Sequence, residues 1–150
     1  MNEIKNIAED INYTAVDLGN LNDLMNYSLI HPVNKQEIEG KVFLKDACKL
    51  TGAEISFNSL PAKVEQAYFH IHNKNEETYI ILKGHGFFQV DGKCFDIKEG
   101  SVIRVAPKGI RGIRNDSNDT MTYIGVQAKE NSLEEYTTND GARVTFDPKW

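Results

Sequence analysis

The chain has 150 residues, of which 40% are apolar and 26% charged, and its formal net charge is −5. This length is typical of one domain whose core is large enough to fold without disulfide or metal staples. Acidic and basic residues are mixed along the chain, which argues against a nucleic-acid partner, because such binding depends on clustered basic residues. No basic start precedes an apolar run and no apolar run is long enough to span a bilayer, so we expect neither a signal peptide nor a membrane segment.

Residues 1–40 differ in character from the rest of the chain. Apolar residues recur at helical spacing from Ile4 to Ile11 and from Leu18 to Met25, which predicts one or two short helices or irregular packing arms. The polar stretch 31–41 is typical of a connection. We predict an N-terminal extension at 1–40 that packs on a main domain at 41–150.

From about Thr51 onward the sequence has the character of β-structure. Short apolar or alternating runs, separated by turn residues, predict strands at Ala53–Leu60, Gln66–His72, Thr78–Leu82, Gly86–Val90, Cys94–Ile97, Val102–Val105 and Thr120–Ala128. The pair Asp91-Gly92 predicts a type I′ hairpin, because both central residues of that turn need positive φ. Many short strands without intervening amphipathic helices predict a sandwich or barrel.

The predicted strand Thr78–Leu82 is apolar on both faces. A strand of an isolated barrel should have one wet face. This pattern indicates that the N-terminal extension or a second subunit covers the outer face, and we predict a homodimer.

The two cysteines, Cys48 and Cys94, lie far apart and outside any C-x-x-C pattern. This spacing predicts two buried free thiols rather than a zinc cluster or a disulfide framework. We therefore expect a cytoplasmic protein, because that compartment keeps thiols reduced.

A group of potential metal ligands lies between residues 70 and 77. His70 and His72 are two residues apart in a predicted strand, so their side chains should project to the same face. After a turn at 73–75, the next strand can bring Glu77 beside them. Two imidazoles and one carboxylate suit divalent Fe, Mn, Ni, Co or Zn and leave coordination positions open. Alternatively, both histidines are polar residues that line a barrel without a metal.

The spacing from His70 through Glu77 to Gly84, H-x-H-x4-E-x6-G, resembles the first motif of the cupin superfamily. The resemblance extends from about Ala53 to Ala128. It implies a double-stranded β-helix, or jelly-roll barrel, with a divalent metal ion held by His70, His72 and Glu77. Cupins include dioxygenases, isomerases, decarboxylases and sugar-binding modules, so the resemblance does not select a reaction.

The second cupin motif, G-x5-P-x-G-x2-H-x3-N, is only partly matched. Gly100 and Asn115 agree with it, but Arg111 stands where the family has its last metal-binding histidine, and a one-residue shift places Gly112 there. A guanidinium has no lone pair and cannot bind a metal ion. We hypothesise that Arg111 binds an anionic small molecule through two parallel hydrogen bonds. The alternative is an ion pair between Arg111 and Glu77 inside the barrel.

Together these features predict an all-β cupin domain at 41–150 that binds or converts a small polar, anionic metabolite. The chemistry would be isomerase- or dioxygenase-like, with Arg111 and Tyr79 contacting the substrate. The alternative is a non-catalytic, possibly metal-free, small-molecule or sugar-binding module, so the sequence leaves open whether the protein is an enzyme. The remaining histidines, His31 and His85, are assigned to loop positions away from the cluster.

Overall fold

The computed structural model describes residues 2–31 and 35–150, which form an almost entirely β protein. The strands are β1 (Lys5–Asp10), β2 (Tyr13–Asp17), β3 (Ser28–Ile30), β4 (Glu37–Glu39), β5 (Lys41–Phe43), β6 (Glu54–Leu60), β7 (Asn75–Lys83), β8 (His85–Val90), β9 (Lys93–Lys98), β10 (Val102–Val105), β11 (Arg111–Asn115) and β12 (Met121–Lys129). Two 3-10 helices cover Leu21–Asn26 and Thr138–Asp140. Within the described ranges, no helix is both long enough and apolar enough to cross a membrane.

Two antiparallel sheets enclose the main core. One sheet has the strand order β10-β7-β12-β6-β5, and the other has the order β11-β8-β9. Side chains from both sheets form one buried apolar cluster, which consists of Tyr79, Ile81, Phe88, Ile97, Val105, Ile113, Met121 and Tyr123. This is the jelly-roll arrangement that the sequence predicted.

The β8–β9 hairpin confirms the predicted type I′ turn. Asp91 has a φ of 49° and Gly92 a φ of 80°, and Val90 pairs with Lys93 across the turn. Both φ values lie in the left-handed region, which glycine and aspartate adopt more readily than most residues. The turn sets the register of the three-stranded sheet.

The predicted strand Gln66–His72 is wrong, because these residues form an irregular arm beside β11. The arm makes only isolated bridges to that strand, Glu65 with Arg114 and His70 with Arg111. Between these bridges the arm advances by five residues while β11 advances by three, so extra residues interrupt the ladder. β11 was not predicted from the sequence, because two arginines and a glycine obscure its alternation.

The segment from Ile4 to Ile11 forms a β-hairpin rather than a helix. Ile7 and Ile11 are 65% and 92% exposed, so the helical spacing of the apolar residues buries no face. The later segment does form a short 3-10 helix, whose Leu24 is fully buried. Leu24 packs with Tyr27 and with Val42 of β5, on the outer face of the larger sheet.

Strand β7 is buried on one face and half-buried on the other. Tyr79 and Ile81 belong to the core. On the opposite face, Ile80 pairs with Val102 of β10 and with Ile124 of β12. The N-terminal 3-10 helix packs on β5 and β6 instead, so coverage of this face by a second subunit stays a prediction.

Cys48 and Cys94 are free thiols, as expected, but their predicted burial is wrong. Cys48 is half-buried and Cys94 is exposed. Cys94 lies on β9, an edge strand of the smaller sheet. Ile97 is the one buried residue of that strand.

Candidate metal centre and barrel cavity

The arm beside β11 positions the two histidines. Backbone hydrogen bonds join the nitrogen of His70 to the carbonyl of Arg111 (3.2 Å) and the nitrogen of Arg111 to the carbonyl of His70 (3.1 Å). The ring of Phe69 lies against Gly112, where an added Cβ would come within 2.7 Å of it. The ring centroids of His70 and His72 are 5.2 Å apart, at an interplanar angle of 89°. Anchoring to β11, rather than the pleat of a regular strand, therefore brings the imidazoles together.

Glu77 of β7 completes the cluster. Its Oε2 atom is 3.1 Å from His72 Nε2 and 3.5 Å from His70 Nε2. Each of the three residues offers a ligand atom, and these atoms all lie within 4.8 Å of one another. The sequence expectation that these side chains converge is met, although the strand predicted to carry the histidines is not formed.

Arg111 and Tyr79 also contact the same carboxylate. The guanidinium of Arg111 is fully buried, and its Nε and Nη2 donate to Glu77 Oε2 at 3.3 and 3.2 Å. Its Nη1 donates to the carbonyl of Gly109 at 2.8 Å. The Tyr79 hydroxyl donates to Glu77 Oε2 at 2.6 Å. The ion pair that the sequence left as an alternative is therefore present, and a direct contact between Arg111 and a small molecule stays a prediction.

The protonation states of this cluster follow from burial and hydrogen bonding. Burial alone would raise the pKa of Glu77, but hydrogen bonds from His70 and Tyr79 and the adjacent imidazoles outweigh it and hold the pKa at about 2. Burial lowers the pKa of His72, and the Glu77 carboxylate opposes part of that shift. At neutral pH, Glu77 is therefore ionised and His72 is a neutral imidazole.

The donor set fits a divalent transition-metal ion. Ligands bound about 2.1 Å from one ion lie about 3.0 to 3.4 Å apart at octahedral or tetrahedral angles. The separations of His72 and His70 from Glu77 Oε2, 3.1 and 3.5 Å, are close to that range. Arg111, at the expected position of a fourth ligand, has no lone pair to give.

One feature departs from the usual support of a metal-binding histidine. The buried Nδ1 atom of His70 has no hydrogen-bond partner in the part of the chain that the structure describes. A metal-bound imidazole usually donates its other N–H to a carbonyl or carboxylate. His70 is therefore the least supported of the three ligands.

The cluster opens into a cavity of about 270 Å³ inside the barrel. Its lining is mostly polar and comprises His31, Lys41, Ser56, Asn58, Gln66, Tyr68, His70, His72, Glu77, Tyr79, Tyr123, Gly125 and Gln127. The volume is below the range of about 300–1,000 Å³ that is usual for drug-sized ligands and cofactors. The cavity therefore suits a small polar molecule.

Gly125 of β12 forms part of the cavity floor between β6 and β7. A Cβ at this position would lie 3.0 Å from Ser56 Oγ and 3.6 Å from Glu77 Oε1. The amide of Asn58 donates to Ser56 Oγ at 3.0 Å, so that oxygen already accepts a hydrogen bond. The hydroxyl proton of Ser56 has no acceptor among the described residues, which leaves a donor at the cavity floor.

The other sequence assignments divide into two groups. Glu76 points away from the cluster and pairs with Arg104 at 2.5 Å, and His85 is exposed at the start of β8. His31, expected in a loop away from the site, instead lines the cavity. Sequence reasoning also missed Lys41 and Ser56. Alternation along β5 and β6 could have indicated their shared face, but neither residue belongs to a recognisable motif.

The solved structures that are similar to this chain include two proteins of related fold. A cupin protein from Bacteroides fragilis is 38% identical, with a TM-score of 0.67, and the match covers 80% of this chain and 98% of that one. A predicted oxalate decarboxylase from Thermotoga maritima is 26% identical, with a TM-score of 0.57, and the match covers 69% of this chain and 90% of that one.

Sequence comparison agrees over a shorter region. A family model described as a cupin domain matches residues 59–126. An uncharacterised protein from Methanocaldococcus jannaschii is 39% identical over 49 residues. That match covers 33% of this chain and 39% of the relative. The region shared with the family model contains the histidines, Glu77 and Arg111.

Proposed function

Since this chain belongs to the cupin superfamily, we propose that it holds a divalent metal ion through His70, His72 and Glu77 and acts on a small molecule beside it. The small molecule is a polar, anionic metabolite that the barrel binds or converts. The observation that carries this proposal is the convergence of three ligand atoms within 4.8 Å at the wall of the barrel cavity. Fe, Mn, Ni, Co and Zn all accept this donor set.

The chemistry proposed is isomerase-, dioxygenase- or decarboxylase-like. A bound divalent ion would polarise a carbonyl or carboxylate oxygen of the substrate. Glu77 holds its ligand geometry because Arg111 and Tyr79 donate to its Oε2 atom. Burial and the Glu77 carboxylate raise the pKa of Tyr79 well above its ordinary value, so its hydroxyl keeps its proton and orients that carboxylate. The likeness to a protein described as a predicted oxalate decarboxylase supports a small carboxylic acid as the substrate class.

A metal-free binding module is the second candidate function, and one specific observation favours it. Glu77 Oε2 already accepts hydrogen bonds from Tyr79 and Arg111 and lies 3.1 Å from His72. A buried carboxylate with this many donors is electrostatically satisfied without a metal ion. In this case the cavity would bind a small molecule or sugar without converting it.

Elemental analysis separates the two candidates. We expect close to one transition-metal ion per chain in purified protein incubated with Fe, Mn, Ni, Co and Zn, and its loss in the double variant His70→Ala/His72→Ala. The matched control is His85→Ala, which removes an exposed histidine away from the site and should keep the metal. No bound metal in the wild type would reject the first candidate. A rise in melting temperature on adding small acids to that metal-free protein would then favour the second.

Three further proposals concern the whole chain. Residues 1–40 are proposed to act as an extension of a cupin domain at 41–150. The half-buried outer face of β7, together with Val102 at 64% exposed, supports a homodimer through the larger sheet. Two free cysteines support a reducing, cytoplasmic location.

A further inference from the structure

Lys41 is a charged residue of the cavity that the proposed metal chemistry does not use. It is the first residue of β5, the edge strand of the larger sheet, and it pairs with Asn58 of β6. Asn58 pairs in turn with Tyr123 of β12, and all three residues line the cavity. Directly paired residues of neighbouring strands point to the same face, so Lys41 projects into the barrel.

The ammonium group of Lys41 has no counter-ion within the described residues. No described carboxylate lies within 4.0 Å of its Nζ atom, which lies over the ring of Phe43, 4.8 Å from the ring centroid. Burial lowers the pKa of Lys41, and the more distant carboxylates of Glu77 and Glu54 oppose that shift. Lys41 is half-buried, and a partly desolvated cation without a carboxylate partner favours an anion that the described residues do not supply.

The two nearest carboxylates are bound to other groups. Glu77 Oε2 accepts from Arg111 and Tyr79. Glu54 Oε1 accepts from the backbone nitrogens of Leu44 at 3.1 Å and Lys45 at 2.8 Å. Arg111 and Glu77 offset each other in charge, so Lys41 adds an uncompensated positive charge to the cavity lining before any metal binds.

A second donor, the hydroxyl of Ser56, lines the same cavity as Lys41. Lys41 Nζ lies over Phe43, and Phe43 pairs directly with Ser56 of β6. The Ser56 hydroxyl keeps its proton available, because its oxygen already accepts from Asn58. Gly125 leaves the space between Ser56 and the metal centre open. One cation and one hydroxyl donor match the charge and the two oxygens of a single carboxylate.

We propose that Lys41, with Ser56, binds a carboxylate group of a small acid whose other end lies at His70, His72 and Glu77. This inference rests on the proposed function, in that it names the substrate class and the second anchor point of the same cavity. It assigns to Lys41 the binding of an anionic small molecule, which the sequence predicted for Arg111. The cavity of about 270 Å³ limits the ligand to a short diacid or oxo-acid.

The test measures malonate binding by titration calorimetry to manganese-loaded and metal-free protein. Lys41→Met removes the charge and keeps most of the length of the side chain, whereas Lys41→Arg keeps the charge. The matched control is Lys45→Met, which changes an exposed lysine outside the cavity. We expect Lys41→Met to weaken malonate binding at least about tenfold, because it removes a charge-assisted hydrogen bond to the carboxylate. Lys45→Met should bind like the wild type, Lys41→Arg should lose less than Lys41→Met, and neutral malonamide should show no dependence on Lys41.

The melting temperature of Lys41→Met distinguishes a lysine that binds a ligand from a lysine that stabilises the fold. If Lys41 serves a ligand, Lys41→Met should melt at or above the wild-type temperature without ligand, because it removes an unpaired charge from the cavity. A large drop in that melting temperature would instead identify a structural lysine and overturn the proposal.

The outcomes also distinguish this inference from the metal proposal. If Lys41→Met keeps its metal and binds malonate as the wild type does, the anchor is wrong and the metal site stands. If no metal binds but malonate still depends on Lys41, the metal site is wrong and the anchor stands. The anchor is overturned if oxalate, malonate and succinate all fail to bind the wild type at about 10 mM, a concentration above a weak Kd of about 1 mM. It is also overturned if inorganic phosphate binds more tightly than malonate.

Discussion

Replacing Arg111 with methionine should destabilise the metal-free protein by about 3–5 kcal/mol, the usual loss when one partner of a buried ion pair is removed. Methionine is shorter than arginine but fills a similar volume, so the change removes charge and hydrogen bonds more than volume. The guanidinium is fully buried, and its loss leaves the Glu77 carboxylate buried without its cation. This perturbation tests the pairing that replaces the expected fourth metal ligand.

The size of the effect follows from the geometry. At 3.2 Å between Arg111 Nη2 and Glu77 Oε2, the Coulomb attraction is about 5 kcal/mol at an effective dielectric of about 20. Two hydrogen bonds to Glu77 and one to the Gly109 carbonyl are also lost. The desolvation of the guanidinium, no longer needed in the variant, offsets part of this sum. Because small domains are stable by about 5–15 kcal/mol in total, the variant should lose a large part of its stability.

Urea denaturation with and without a saturating divalent metal ion measures the effect. A bound ion places positive charge next to Glu77, so the loss should be smaller in the metal-loaded protein, and metal affinity should rise. Arg111→Lys is the control, because it keeps the charge but not the planar donor pair, and it should fall between the two. Equal stability of Arg111→Met and the wild type, within about 1 kcal/mol, the contribution of one ordinary hydrogen bond, would refute this reasoning.

Two other substitutions test the cavity floor at Gly125 and the hydrogen bonds of the buried Asn115 side chain. Gly125→Ala places a methyl group 3.0 Å from Ser56 Oγ, so malonate affinity should fall while metal content is kept; calorimetry that finds unchanged affinity would argue against a ligand at this floor. Asn115→Ala should lower the free energy of unfolding, measured by urea denaturation, by about 3 kcal/mol, since it removes three hydrogen bonds to part-buried carbonyls. A loss below about 1 kcal/mol would contradict that role. The carbonyls bound by the Asn115 amide are those of Leu60, Pro61 and Asp119.

The fold was largely predictable because its main signals are local. The pair Asp91-Gly92 needs positive φ at two successive residues, and the structure has both. Alternating runs in β6, β8 and β12 follow the period of two that a half-buried strand imposes. The helix predicted from Ile4 to Ile11 is wrong, because helical spacing predicts a helix only when the resulting apolar face packs against another element.

The candidate site was predictable only in part. The convergence of His70, His72 and Glu77 was predicted from their spacing, although anchoring of the arm to β11 produces it. The sequence left the partner of Arg111 open, because it depends on which atoms lie opposite it across the barrel. Lys41 gave no signal, since it begins a three-residue edge strand and its partner Asn58 lies on a separate strand. The role proposed for Lys41 depends on the absence of a nearby carboxylate, which can be recognised only from the positions of all the charged groups around the cavity.

Anomalous X-ray diffraction from crystals grown with a divalent metal, recorded at that metal's absorption edge, tests the central claim most directly. The account predicts one strong peak about 2.0–2.3 Å from the nitrogens of His70 and His72 and from a carboxylate oxygen of Glu77. A peak at another position, or none at these three residues after metal loading, would contradict it.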